Sequence, residues 1–365
     1  MILTSLRTTA FRNLADAEVN INGKDVFLVG ENGQGKTNFL EALYFCSYAA
    51  SFRGVRDREL AKTGEKEFSA AVTLQDSLVN QVQIKYEGGK KTVVLDGKRI
   101  EDRKDILSVV PCIVFCHEDM EFVAGSPERR RWFFDQCLSL YDPVYLEDLR
   151  RYRRVLKSRN NVLKEYGGNR GSGDPGSLLD ALDAQFVLYG TKLMEKRETA
   201  ARLFSGIFSP LYQEVSGIAG IGVQYVPSWK QGDIPAITVF LRDRRAMDLV
   251  AGVSLSGPHR DRYIFSQGQT EFAGTASTGQ RRLLALLLRT AQARRFSGMT
   301  GKNPLLLLDD VLLEMDGEKR KRFLAVMPGY DQAFYTFLPE EPFERYRKPG
   351  TLVYRVQNGK VYEDV

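Results

Sequence analysis

No stretch of the 365-residue sequence is apolar for long enough to cross a bilayer. The longest apolar runs, residues 109–116 and 283–288, fall well short of the roughly 18–20 residues a spanning helix needs. Residues 1–13 hold no basic segment followed by an apolar stretch, so no secretory signal is read there and a cytoplasmic location is expected. Cysteine is scarce. Cys46, Cys112, Cys116 and Cys137 are the four present, and a cytosolic chain keeps them reduced. Cys112, Cys116 and His117 stand close enough to suggest half of a metal site. No second pair stands at zinc-finger spacing, however, and residues 109–116 read better as a buried strand with cysteines as small core residues. There is no internal repeat, no long low-complexity tract and no heptad sustained over many turns, which excludes a solenoid and a long coiled coil. The excess of one charge is small: 52 Lys and Arg against 46 Asp and Glu, a net charge of +6. That total does not by itself imply a polyanionic partner, but it permits one where the charge is concentrated.

The chain has ample material for a core, with 43% apolar residues, and its length suggests one large domain with a second lobe. The N-terminal third reads as mixed α/β. Strands are expected at 2–6, 19–21, 25–29, 71–74, 82–86 and 92–95, and a helix at 38–46, with Glu87-Gly88-Gly89 and Asp96-Gly97 as turns. From about 127 to 212 the pattern becomes helical and rich in arginine. A polar, glycine-containing loop at 167–176 would join two antiparallel helices. Strand patterns return at 222–226 and 237–240. Residues 281–295 form an amphipathic helix with a leucine face, 304–308 a buried strand ending in two aspartates, and 351–356 a last strand.

Gly30-Glu31-Asn32-Gly33-Gln34-Gly35-Lys36-Thr37 matches the phosphate-loop pattern G-x-x-x-x-G-K-[ST] in full. Glycines let the backbone wrap tightly, so that successive N–H groups point at phosphate oxygens. Lys36 supplies a point charge to the β/γ phosphates, and Thr37 offers its hydroxyl to Mg²⁺. The flanking strand and helix are the context this loop needs. A second acid for the metal is found in Leu305-Leu306-Leu307-Leu308-Asp309-Asp310. There, Asp309 is placed to hold Mg²⁺ and Asp310 to orient or deprotonate the attacking water.

The class is narrowed by what accompanies this pair. A base-reading N-K-x-D motif is missing, which argues against a GTPase. The separation of Lys36 from Asp309 is too long for a small kinase. Ala276-Ser277-Thr278-Gly279-Gln280, about 30 residues before the aspartates, reads as an ABC signature close to L-S-G-G-Q. It puts Ser277, Gly279 and Gln280 at a helix N-terminus, where they would meet the γ-phosphate held by another subunit. Taken alone, Ser277 could simply be a helix cap. Leu313-Glu314-Met315-Asp316 stands where ABC proteins keep a D-loop, with Asp316 reaching across a dimer or else starting a helix.

Several stretches then resemble one family, the RecF family of SMC-like DNA-repair ATPases. They are Phe11-Arg12-Asn13-Leu14, residues 30–38, Ser51-Phe52-Arg53, Arg56-Asp57-Arg58-Glu59-Leu60, His117-Glu118-Asp119-Met120, Gly125-Ser126-Pro127, residues 129–135, Ser256-Gly257-Pro258-His259-Arg260-Asp261, Asp309-Asp310-Val311 and Glu314-Met315-Asp316. The resemblance implies an α/β fold: an ABC-type P-loop ATPase head built from both chain ends, 1–125 and 255–365 (lobe I). A mainly helical arm at 126–254 (lobe II), helical to about 212, is inserted between them. It implies ATP and Mg²⁺ as cofactors, slow and DNA-stimulated ATP hydrolysis, and an ATP-dependent homodimer. It also implies binding to double-stranded DNA and single/double-strand junctions near gaps, and cooperation with RecR, with RecO, in loading RecA during repair, replication restart and recombination. Nucleotide contacts carry over to Gly30, Asn32, Gly33, Gln34, Gly35, Lys36, Thr37, Asn38, Arg12 and Asn13. The sequence departs from the pattern in three places. The segment 333–337 has no switch histidine, so Thr336 is assigned that position. The signature has Thr278 for its first glycine, and S/A-P-E-D-L reads Cys116-His117-Glu118-Asp119-Met120.

DNA contacts are expected from basic clusters. Arg53, Arg56 and Arg58 fall within six residues, and residues 129–170 carry 11 basic and 5 acidic side chains. Arg150, Arg151, Arg153 and Arg154 suit sequence-independent phosphate contacts, or a solvated face paired with Glu147 and Asp148. No recognition helix, zinc finger or RNP motif is present, so base reading is not expected. His259 reads as a structural histidine in a tight Gly-Pro turn more readily than as a base. Two other classes share the ATP motifs: a transporter ATPase subunit and an SMC-like clamp. The first would lack the basic arm, and the second needs a coiled coil for which the chain has no room.

Overall fold

The computed structural model describes residues 1–102, 104–167, 175–230, 232–312 and 315–364. In chain order these form β1 (Ile2–Thr9), β2 (Ala17–Asn20), β3 (Asp25–Val29), α1 (Lys36–Tyr48), β4 (Phe68–Gln75), β5 (Gln81–Glu87), β6 (Lys90–Leu95), β7 (Lys98–Ile100), α2 (Lys104–Val109), β8 (Cys112–Phe115), α3 (Pro127–Tyr141), α4 (Pro143–Tyr166), α5 (Gly176–Ser216), β9 (Ile221–Val226), α6 (Ile234–Asp243), α7 (Arg245–Ala251), β10 (Arg262–Gln267), β11 (Thr270–Glu271), α8 (Phe272–Thr275), α9 (Thr278–Thr300), β12 (Leu305–Leu308), α10 (Gly317–Ala325), β13 (Ala333–Phe337), β14 (Leu352–Gln357) and β15 (Lys360–Glu363). They fall into two compact units, Met1–Asp119 with Ala293–Val365, and Met120–Gln292.

The first unit holds two six-stranded sheets. One has the order β2-β1-β4-β5-β6-β7 and is antiparallel throughout. The other has the order β15-β14-β3-β13-β12-β8, parallel except for the β14–β15 hairpin. Every residue of β3, β8, β12 and β13 is buried. Parallel strands covered on both faces read as unbroken apolar runs, which is why these are legible as strands. A single core joins both sheets through α1: Phe39, Leu40, Leu43 and Phe45 pack with Leu6, Val72 and Ile84 from one sheet and with Val26, Leu28 and Leu307 from the other. Cys46, Cys112 and Cys116 are part of this core.

In the second unit α4 and α5 run antiparallel, since partners on α5 move towards its start as partners on α4 move towards its end. Asp142 meets Lys196, Tyr152 stacks on Phe186, and Arg159 bonds Asp183. α4 starts with Asp142 accepting from Tyr145 N–H and Pro143 in its first turn, where a missing N–H costs nothing, whereas α5 begins after Pro175 with no side-chain cap. The loop residues 168–174 that join them lie outside the described residues. A three-stranded sheet β11-β10-β9 completes this unit.

Two expectations are corrected. Residues 237–240 lie in α6, not in a strand. Ile237, Thr238 and Val239 are β-branched and favour extended backbone locally. Asp233 overrides that preference by capping Ala236 N–H with Pro235 in the first turn, and burial falls on Ile237 and Leu241, four residues apart. The strand ending near 356 is also not the last, since β15 follows it through a turn with Asn358 and Gly359 both at positive φ.

Candidate nucleotide-binding site

The site is built where β3 ends and α1 begins. Gly35 is the N-cap of α1 with φ 119°, a conformation that a side chain would strain. A Cβ there would stand 3.1 Å from Asn13 Oδ1. At Gly30 a Cβ would be only 2.4 Å from the Val356 carbonyl oxygen. Neither position has room for another residue, so the loop keeps the backbone path the motif needs. The loop is tied to distant chain on both sides. Asn13 Nδ2 donates to Gly33 O at 3.1 Å, and Asn38 Nδ2 donates to Asn13 Oδ1 at 2.7 Å. On the far side, Gly359 N–H donates to Gln34 O at 2.9 Å, and Asn358 N–H to Gln34 Oε1 at 2.7 Å.

Lys36 is buried, and its ammonium donates to the carbonyls of Gly30 at 2.6 Å and Glu31 at 3.1 Å. Neither partner carries a charge, so an anion arriving here meets a cation that these partners leave unneutralised. Thr37 Oγ1 donates to Asp309 Oδ1 at 2.9 Å, bringing together residues 272 positions apart. Asp309 follows β12, and burial together with the neighbouring Asp310 charge pushes its carboxyl up to about 6. A site that penalises its own carboxylates is one that a divalent cation would suit, because the cation restores the charged form. The phosphate cradle, the buried ammonium and the Thr37–Asp309 pair therefore fit Mg²⁺ and a polyphosphate.

Asp310 has φ 53°, the left-handed region, without being glycine. Thr336, on the adjacent strand β13, holds it there. The Asp310 N–H donates to Thr336 Oγ1 at 2.8 Å, and that hydroxyl lies 2.8 Å from Asp310 Oδ1 and 3.2 Å from Asp309 Oδ1. A cleft of about 210 Å³ opens over this group, walled by Glu31, Asn32, Gly33, Gly35, Lys36, Thr37 and Asn38, with Arg53 and Asp310 at its edges.

Other residues singled out from the sequence fall elsewhere. Arg12 points its guanidinium at the fully buried Glu41, with bonds of 2.8 and 3.2 Å, and at Glu59 O. It braces the loop's surroundings and does not line the cleft. Arg53, expected on a DNA surface, is exposed at the cleft, 3.5 Å from Asn38 Oδ1 and 4.0 Å from Glu118. Arg56 and Arg58 are exposed around a short 3₁₀ turn. In the other unit Ser277 and Gln280 form a reciprocal capping box at the start of α9: Gln280 N–H donates to Ser277 Oγ at 3.3 Å and Ser277 N–H to Gln280 Oε1 at 2.8 Å. The cap leaves the N–H groups of the first turn pointing out of the helix, Gly279 among them. Asp316 caps α10 through Lys319 N–H at 2.9 Å, and hydrogen bonding to Lys319 lowers its carboxyl. Leu313 and Glu314 of the expected D-loop lie outside the described residues.

On α4, Arg150 is half-buried and Arg151 pairs with Glu147 one turn earlier, while Arg153 and Arg154 are exposed, Arg153 reaching Asp135 at 3.4 Å. Asp148 is buried, so it does not belong to that solvated face. His259 is structural in its bonding: Nδ1 meets Tyr152 Oη at 2.8 Å and Nε2 meets Ser254 O at 2.9 Å. Burial lowers its pKa to about 4, so it is neutral at physiological pH. The roles of two acids escape a reading of the sequence. Glu41 falls on the α1 face that the motif leaves unassigned. Glu118 bears on Asp309 through space alone, and no sequence spacing announces that.

Comparison with known proteins agrees with this geometry. The model of the RecF/RecN/SMC N terminal domain family matches residues 2–359. The DNA replication and repair protein RecF of Treponema pallidum (strain Nichols) is 44% identical over 355 residues, covering 97% of this chain and 99% of that one. Among solved structures, the recombination mediator protein RecF-ATP in the RecFOR pathway superposes with a TM-score of 0.89 at 26% identity, covering 100% of this chain and 98% of the other. The Pyrococcus furiosus Smc head domain with an extended coiled coil shares the fold at a TM-score of 0.52 and 17% identity, over 99% of this chain and 95% of that one. A phosphate loop and paired aspartates on an ABC-type α/β fold are thus joined by likeness along nearly the whole length, and the chain belongs to the RecF family of SMC-like ATPases.

Proposed function

We propose that this protein is an ATP-dependent, dimerising DNA-binding ATPase of recombinational repair and replication restart. In this reading it binds duplex DNA next to single-strand gaps and works with RecR, and with RecO, to load RecA. The observation that carries the ATPase part is the cluster of Lys36, Thr37, Asp309, Asp310 and Thr336, drawn from three adjacent strand ends. The DNA and partner assignments rest on the family and on the exposed arginines Arg56 and Arg58 and those of α4.

ATP, when bound with Mg²⁺, supplies a terminal phosphoanhydride whose hydrolysis makes the cycle irreversible. Loop N–H groups from Asn32 to Asn38 hold phosphate oxygens, and Lys36 neutralises charge on them. Thr37 and Asp309 hold the cation. Asp310, with Oδ1 fixed by Thr336, orients a water through its other oxygen and takes its proton. The Ser277 and Gly279 end of α9 contacts the terminal phosphate of a second copy, and Asp316 reaches the same junction. Closure joins two basic surfaces, which raises affinity for DNA by acting together. Loss of the terminal phosphate opens the pair.

The trans contact is the testable core. Ser277→Arg places a long cation where a phosphate must enter, and should leave ATP binding to the monomer intact while abolishing ATP-dependent dimerisation. Sedimentation with a non-hydrolysable analogue reads both. A Ser277→Arg protein that still dimerises rejects the composite site.

A further inference from the structure

The helical unit contains a second cavity, of about 360 Å³, that the ATPase reading does not use. Four separate segments build it. α3 contributes Arg131 and Trp132, α4 contributes Tyr152 and Arg153, and the turn after Gly257 contributes His259 and Arg260, with Arg197 of α5 at the floor. Four guanidinium groups therefore face a space bordered by two carboxylates, Glu128 and Asp135. Asp135 is already committed: Arg197 grips it at 2.9 and 3.1 Å, and Tyr145 donates to it. The surplus positive charge is felt by its neighbours. Burial and then the Arg197 charge lower Arg131 against the opposing charges of Asp261, Glu128 and Asp135, and burial with the charges of Arg260 and Arg131 lowers His259 against an opposing Ser254 contact.

The aromatic at the mouth decides the kind of anion. Trp132 is 39% exposed and lies near-parallel to Phe122, with centroids 5.6 Å apart and planes at 26°. One ring face is thus backed by Phe122 while the side chain remains open to solvent. Duplex backbones are met by surfaces, because their bases are turned inward. A pocket that offers several guanidinium groups beside an exposed indole suits a nucleotide whose base is unpaired and free to stack. We propose that this cavity is a single-stranded DNA site, with Arg131, Arg153 and Arg260 on phosphates and Trp132 as a base-stacking platform. The proposal deepens the DNA-binding reading and rests on it.

The chain supplies its own probe, since it has two tryptophans and the other, Trp229, is 1% exposed in the core. Adding oligothymidylate of about ten nucleotides to the full-length protein should quench tryptophan emission in wild type and in Trp229→Phe, but not in Trp132→Leu. Arg260→Gln changes an exposed side chain and keeps the fold. It should weaken oligothymidylate binding about tenfold and flatten the salt dependence by roughly 0.7 of a logarithmic unit for each phosphate ion pair removed, with duplex affinity within about twofold of wild type. Circular dichroism controls Trp132→Leu for folding, and Trp132→Phe should retain binding without the indole signal. Unchanged oligothymidylate affinity in both Arg260→Gln and Trp132→Leu overturns the site, as does stronger competition by polyglutamate than by oligothymidylate. If wild type binds duplex but not oligothymidylate, this site alone fails. If it binds neither, the DNA-binding reading fails with it.

Discussion

Thr336 connects both aspartates of the nucleotide site through one hydroxyl, and its neighbour Asp310 sits at a backbone angle that costs energy unless held. Thr336→Val keeps the shape and removes the hydroxyl, leaving the Asp310 N–H and carboxylate without that partner. ATP turnover should fall about 10- to 100-fold, as the loss of a charge-assisted hydrogen bond implies. ATP affinity should stay within about threefold, because Lys36 and the loop are untouched, and Thr336→Ser should restore most of the rate. Steady-state phosphate release together with equilibrium binding of a fluorescent ATP analogue separates the two effects. At this scale the sequence is most informative where chemistry needs a fixed spacing: Lys36, Thr37, Asp309 and Asp310 are each placed by their motifs alone. Thr336 is assignable only by position after the paired aspartates. The Arg12–Glu41 pair and the Arg53 rim position are not legible, because each depends on two segments meeting in space.

Among the elements, α5 is held to its surroundings by charge as much as by packing. The Arg197 side chain is only 3% exposed and bonds Asp135, Asp261 and Pro258 O. Tyr225 donates to Asp261, and burial raises that carboxyl while the Arg197 charge lowers it. Arg197→Ala strands two buried carboxylates, and should destabilise the helical unit by about 3–5 kcal/mol, read as an earlier urea midpoint followed by far-ultraviolet circular dichroism. The amphipathic face of α4 is visible in the sequence because its burial follows helical spacing, whereas α9, expected to show one leucine face, is buried on every side from residue 283 to 293. α6 reads as a strand because three β-branched residues in a row outweigh an Asp-Ile-Pro start signal that in the folded chain decides the outcome.

For the whole molecule, the α/β class and the joining of two chain ends in one unit follow from a phosphate loop near residue 30 and its partner acid near 309, which must meet to function. The contact between copies invites a complementation test. A Lys36→Arg copy has a damaged loop but an intact Ser277 end, and a Ser277→Arg copy has the reverse. Each should fail to dimerise with an ATP analogue on its own. An equimolar mixture should recover pairs, since the mixed pair contains one complete composite site, and analytical ultracentrifugation with one copy labelled detects them. Mixing without recovery would mean that both composite sites must be whole, or that the two copies do not share them.

The clasp between Gln34 and the Asn358–Gly359 turn has a temporal meaning. A loop encoded near residue 30 is shaped in part by backbone groups 324 positions downstream, and β3 beneath it has β13 and β14 on its two sides. Such distant pairing forms late. A growing polypeptide would therefore emerge from the ribosome with its phosphate loop unformed, unable to trap nucleotide or a second copy prematurely. The switch would be armed only when residues 333–359 have been made and have threaded into the sheet.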